Sequence, residues 1–137
     1  TILALSDERD KLDIQDLSEA IDCTEYIKNI TPKIYKMNPR NRYKNYCECN
    51  PDEPPSDTNC VECVESPNDG SLADTNYSIG LIAQEVKGYE DSLELPNNIV
   101  SKEMNSETLS VGYTTLIPIL IQTVKELTER IEYLENL

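Results

Sequence analysis

The sequence contains no histidine. That absence removes every His-based triad, His metal site and imidazole acid–base role, so any base here must be a lysine, a carboxylate or a tyrosine. Phenylalanine is absent too, and Leu, Ile and Val together number 33 (14, 13 and 6) of 137 residues, little above the ~20% level that marks disorder. A chain this long is the size of one domain, and its core would be thin. Either part of it is unfolded, or apolar faces are shared between subunits. Basic residues are scarce: 12 against 26 acidic ones, 12 − 26 = −14, which argues against nucleic acid and anionic membrane as partners. None at all falls between Lys44 and Lys87, where Glu48, Asp52, Glu53, Asp57, Glu62, Glu65, Asp69, Asp74 and Glu85 lie. No apolar run approaches the ~18 residues of a membrane span. The first residues lack a signal pattern, so the chain is expected to be soluble. A start at Thr1 suggests a fragment of a longer protein.

Ile14, Leu17, Ile21, Ile27 and Ile30 recur at near-helical spacing, which predicts a helix over residues 19–30 capped by Ser18 and ended by Pro32. PKIYKM alternates as a short strand does. From Asn38 to Asp74 the chain is crowded with Pro, Asp, Asn and Ser and reads as loop, with an acidic, Cys-bearing insert at about 45–74. YSIGLIAQEVKGYE follows as a strand start running into a short helix, with Leu81, Ile82 and Val86 expected in the core and Gln84 and Glu85 at the surface. NNIVSKE and ETLSVGY then predict a β-hairpin around SKEMNSE. The expected fold class is α+β, a small mixed domain of short strands and helices.

At the C-terminus Ile117, Leu120, Val124, Leu127, Ile131 and Leu134 recur at intervals of 3, 4, 3, 4 and 3, a heptad seam over nearly three heptads. Pro118 fits a first helical turn, Thr114 or Thr115 can cap it, and Glu126 with Arg130 form an i,i+4 pair. An amphipathic helix packed on its own domain would show the same period. Self-association is the reading preferred for a terminal helix on an apolar-poor chain. β-branched residues at a with Leu at d favour a parallel dimer in isolated coils.

Near the start, ALSDERDK places Ser6 five residues before Lys11. Locally this is ordinary: Ser6 or Asp7 can cap a turn inside a solvated charge cluster. The chemistry of a Ser/Lys pair is nevertheless coherent, since a serine hydroxyl needs a base and a desolvated lysine can serve. Attack by the Ser6 hydroxyl on the Leu5 carbonyl closes a five-membered ring and makes an ester; attack on its own carbonyl would need a four-membered one. Within one chain the Leu5–Ser6 bond is therefore favoured over Ser6–Asp7. An N–H or acid must also hold the oxyanion.

SDERDK (Ser6, Asp7, Arg9, Lys11), GLIAQEV (Gly80 to Val86, including Gln84 and Glu85) and YTTLIPIL with KEL (Tyr113, Leu116, Pro118, Lys125, Glu126, Leu127) together resemble the intramolecular chaperone, or peptidase S74, domain that ends phage tail spikes, tail fibres and neck appendages. The resemblance implies an intertwined homotrimer with a C-terminal coiled coil. Such a domain drives assembly and folding of an upstream viral fibre, then releases itself by Ser6/Lys11 autoproteolysis supported by Asp7 and Arg9. Cuts on either side of the family's serine are implied, around Leu5, Ser6 and Asp7, without a required cofactor. Gly80, Gln84, Glu85 and Tyr113 would serve structure or contacts between subunits. Residues 1–5 would be the remnant of the fibre, 6–112 the chaperone domain and 113–137 the coil. The implied setting is a virion precursor assembled in host cytoplasm, its partners being further copies of itself and its own upstream domain. A trimer conflicts with the dimer-like a/d pattern, and the globular part can set the count when the coil is short.

Cys47, Cys49, Cys60 and Cys63 form two close pairs in the insert, with Cys23 left on the first helix. The pairs could gather a structural zinc, form disulfides, or remain free loop thiols; CxC spacing is unusual for zinc ribbons.

Overall fold

The structure, a computed structural model, describes residues 3–40, 68–104 and 107–137. It is a mixed α/β chain of short elements: α1 Leu17–Ala20, α2 Cys23–Lys28, β1 Lys33–Tyr35, β2 Ser78–Gly80, α3 Ala83–Glu90, β3 Val100–Lys102, β4 Leu109–Val111 and the long α4 Leu116–Glu135. It divides into two compact units, Pro32–Gly80 on one side and Thr1–Thr31 with Leu81–Leu137 on the other. The expected insert falls mostly outside the described residues, and so do Cys47, Cys49, Cys60 and Cys63.

In the unit Pro32–Gly80, β1 and β2 pair antiparallel with Ile34 opposite Ile79. The Lys36 ammonium lies 5.1 Å from the centre of the Tyr77 ring, and the Asp74 N–H donates to the Met37 carbonyl at 2.8 Å. The predicted strand in PKIYKM is present.

The core lies in the other unit, where Cys23, Tyr26, Val86, Ile99 and Ile119 are buried. Leu17, Ile21, Tyr89 and Leu116 pack around them. Tyr26 and Tyr89 meet edge to face with ring centres 5.7 Å apart, a favoured aromatic arrangement.

The single helix expected over 19–30 is two. Ile21 is extended (φ −138°, ψ 139°), a conformation that suits its branched side chain. Asp22 then starts α2 by accepting the Glu25 N–H at 3.2 Å, the usual action of an N-cap aspartate. The break lets Leu17 and Ile21 from one turn, and Cys23 and Tyr26 from the next, all reach one core. Ser18 therefore lies inside α1 and caps nothing; Asp16 holds the N-cap position without a side-chain bond.

The hairpin forms as expected, pairing Val100 with Val111 and Lys102 with Leu109. Where it closes, the Gly112 N–H donates to the Ile99 carbonyl at 2.7 Å, and a Cβ on Gly112 would lie 3.3 Å from that oxygen. Glycine admits this approach. Ile82, expected in the core, sits at the N-cap of α3 and is 36% exposed; Val86 one turn on takes the buried position.

Glu90, the last residue of α3, is 1% exposed. Its carboxylate accepts the N–H groups of Ile99 at 3.1 Å and Val100 at 3.2 Å, fastening α3 to the start of the hairpin. The Tyr26 hydroxyl lies close enough to feel the carboxylate's charge, without a hydrogen bond of good geometry. Burial pushes the Glu90 carboxyl up, opposed by its two N–H donors. A raised folded value means that this group's contribution is full below the ordinary carboxylate range and declines as pH rises through the raised value. Glu90→Ala should cost roughly 2–4 kcal/mol in urea unfolding at neutral pH, because two N–H groups at the base of the hairpin lose their acceptor.

α4 presents two apolar faces. Ile119 and Thr123 are buried against the rest of this unit, and Leu116 is partly buried there. The heptad residues Ile117 (56%), Val124 (60%) and Leu127 (49%) are exposed, as are Leu120, Ile131 and Leu134. The seam is therefore not what packs this helix on its own domain. Neither Thr114 nor Thr115 caps it, because the chain arrives already wound through the 3-10 turn Tyr113–Thr115 and Thr115 itself is helical. Pro118 does sit in the first turn. Glu126 does not pair with Arg130: its carboxylate takes the Thr24 hydroxyl of α2 and the Gln122 amide at 3.2 Å, tying α4 to α2.

Candidate functional site

Ser6 to Lys11 form a single turn whose geometry follows from its sequence. Asp7 is extended (φ −74°, ψ 132°) and caps the 3-10 turn Glu8–Asp10. One carboxylate oxygen accepts the Arg9 N–H at 2.9 Å and the Arg9 Nε at 3.0 Å, and the other accepts Nη2 at 2.7 Å. Such a two-pronged guanidinium–carboxylate contact fixes orientation as well as distance. The backbone closes in step, with Asp10 N–H on the Asp7 carbonyl and Lys11 N–H on the Glu8 carbonyl, both at 3.1 Å.

This winding brings residue 11 back over residue 6. Lys11 Nζ donates to Ser6 Oγ at 2.9 Å. Candidate nucleophile and candidate base thus meet within one chain, and both are exposed to water. Two residues on, Asp13 has a positive φ of 53°, a left-handed bend that aspartate tolerates better than most residues. Leu3, Leu5 and Leu12 beside the turn are more than four-fifths exposed.

The Arg9 guanidinium and N–H hold the Asp7 carboxyl below its ordinary range. A lowered folded value means that the clamp is intact above the ordinary carboxylate pKa and is lost as pH falls through the lowered one. A carboxyl-carbon NMR titration should place Asp7 below the ordinary midpoint near 3.8, and Arg9→Gln should return it there. An unmoved midpoint in the variant would show that the clamp does not form in solution.

The other expected site residues lie on or beside β2, α3 and α4. Gly80 ends β2 opposite Lys33. Gln84 and Glu85 occupy the first turn of α3 and are exposed. Tyr113 Oη accepts the Leu81 N–H at 2.8 Å, joining the GLIAQEV segment to the start of the terminal helix. No hydrogen bond joins Gln84 or Tyr113 to the Ser6–Lys11 pair among the described residues. Glu90 and Thr24 were not singled out from sequence. For Glu90 the signal was its spacing, four residues after Val86 and so on the same helix face; for Thr24 there was none. Among the described residues no group of three His, Cys, Asp or Glu side chains is placed to hold a metal ion.

No curated protein matches the chain. Residues 6–96 match the model of the peptidase S74 family, described as chaperone of endosialidase; the span begins at Ser6 and takes in the Asp7–Arg9 clamp, Lys11 and GLIAQEV, while Tyr113 and the seam of α4 lie beyond it. That family description supports a chaperone role in fibre assembly, and with more than half of its residues matched the chain belongs to the peptidase S74 family of intramolecular chaperone domains.

Proposed function

We propose that this domain assembles as a homotrimer, brings three copies of an upstream viral fibre or appendage together, and then releases itself by autoproteolysis beside Ser6. The observation that carries the proteolytic part is the 2.9 Å contact from Lys11 Nζ to Ser6 Oγ. In this reading Ser6 Oγ attacks the Leu5 carbonyl carbon and Lys11 takes the hydroxyl proton. The Leu5–Ser6 amide bond breaks as an ester to Oγ forms, the proton passing to the freed amine. Water then hydrolyses the ester, leaving a carboxylate on Leu5 and the hydroxyl back on Ser6. Burial disfavours the ammonium relative to the free amine, so a neighbouring copy covering this exposed turn would switch the pair on. The exposed α4 seam supports self-association as the source of that cover.

The physical logic is that of a register clamp. Long β fibres have non-local contacts and exposed edges, and holding three chains at one end raises their effective concentration for pairing. Cutting afterwards makes the assembly hard to reverse. The setting that goes with this reading is a virion precursor assembled in the host cytoplasm, with no cofactor needed for the cut. A precursor carrying its upstream sequence should yield two fragments on a denaturing gel, the smaller beginning at Ser6 by N-terminal sequencing. One intact band from fully assembled protein would remove the proteolytic part and leave a non-catalytic trimerisation or attachment module.

A further inference from the structure

Beside the α4 seam stand two charged residues, Arg130 and Glu135, with no ion-pair partner among the described residues. With Ile117, Val124 and Ile131 at a and Leu120, Leu127 and Leu134 at d, the residues flanking the seam are Ile121, Thr128 and Glu135 at e, and Thr123 and Arg130 at g. In a parallel coil a g residue meets the e residue of the following heptad on the neighbouring helix, five positions further on. The geometry points to an ion pair between Arg130 of one copy and Glu135 of the next, which sets the helices parallel and in register. The inference rests on the self-associating coil proposed above.

Among the described residues no ion pair competes for these side chains. Residues five apart do not face each other on one helix, so Arg130 and Glu135 of the same copy do not pair. Glu126, the carboxylate one turn before Arg130, is held by Thr24 and Gln122. Among the described residues neither Arg130 nor Glu135 has an ion-pair partner, and both are exposed. The remaining flanks are uncharged: the hydroxyls of Thr123 and Thr128 are turned onto the carbonyls of Ile119 and Val124, and Ile121 is apolar and 57% exposed.

The charged contact is thus available at one place only, and its position selects among arrangements. A slip of one heptad in either direction sets Arg130 or Glu135 against an uncharged flank. Antiparallel helices bring g against g and e against e, which loses the pair. They also lay the broad apolar end, where Ile117, Leu120, Ile121 and Val124 line an open groove, against the narrower charged end. Parallel, in-register helices match broad end with broad end and repeat the ion pair at every interface.

The test is sedimentation of the full chain over a concentration range, at low and high salt, for wild type, Arg130→Glu, Glu135→Arg and the double exchange. Each single change should weaken the assembly roughly tenfold at low ionic strength, the double should recover most of that loss, and high salt should shrink the differences. General charge repulsion makes the opposite forecast for one variant. From −14, Arg130→Glu moves the net charge to −14 − 2 = −16 and Glu135→Arg to −14 + 2 = −12, so repulsion alone would weaken the first and strengthen the second. Single changes that move in opposite directions, or a double exchange that recovers nothing while helicity by circular dichroism is unchanged, would overturn the pairing. A wild-type chain that stays monomeric at every concentration overturns the coil itself, a separate failure visible without any variant.

Discussion

Lys11→Arg in a precursor that retains its upstream sequence should leave one uncut band, and Ser6→Ala and Lys11→Ala should do the same. The arginine variant is the informative member, because a guanidinium keeps the charge and the donor but does not give up its proton near neutral pH. If Lys11 merely held Ser6 in place, arginine would preserve much of the cleavage. If it takes the Ser6 proton, as the 2.9 Å contact allows, all three variants fall by about 10⁴-fold or more, the scale on which members of a nucleophile–base set fail. The variants should still fold and assemble, since Ser6 and Lys11 are exposed and belong to no core. Arg9→Lys should sit between: a single ammonium cannot reproduce the Nε and Nη2 contacts on Asp7, so the turn loosens and cleavage slows without stopping. Continued cutting at the same bond in both Ser6→Ala and Lys11→Ala would remove the pair from the reaction.

Some of this was legible in the residues because it is periodic or local. The strand in PKIYKM, the hairpin, the short helix of GLIAQEV and the terminal helix follow from patterns with a range of a few residues, and all are present. The turn at Ser6 is legible for a related reason. Spaced five apart, Ser6 and Lys11 meet only if the chain between them winds, and Asp7 with Arg9 supplies the cap and the clamp that wind it. What sequence misjudged was decided by competition between local and distant partners. Ile21 and Asp22 broke a helix that the apolar spacing would have run straight through, because the cap and the shared core outweigh continuity. Glu126 left its expected partner Arg130 for Thr24, a residue 102 positions away. Glu90 was not singled out, because the two N–H groups it accepts come from the hairpin nine and ten residues further on.

Val124→Asp or Leu127→Asp should convert the assembled protein to monomer at micromolar concentration. The two faces of α4 make this a clean separation, since Val124 and Leu127 are about half exposed or more while Ile119 and Thr123 hold the helix to its own unit. Burying the exposed half of a branched aliphatic side chain is worth about 1 kcal/mol, so in the proposed trimer six seam positions per copy give roughly 15–20 kcal/mol before the entropic cost of association. One aspartate per copy removes part of that sum and would place three carboxylates together at the axis of the proposed trimer, each resisting desolvation by several kcal/mol. Circular dichroism and unfolding of the isolated chain should change little, whereas Ile119→Ala should cost about 2–4 kcal/mol of its stability. On the proposed mechanism the seam variants carry one further consequence. Their Ser6–Lys11 turn is intact yet stays in water, so the precursor should remain uncut with an unaltered dyad. Cleavage persisting in a monomeric Leu127→Asp precursor would show that a single chain activates Lys11 unaided, and assembly would then have no part in timing the cut.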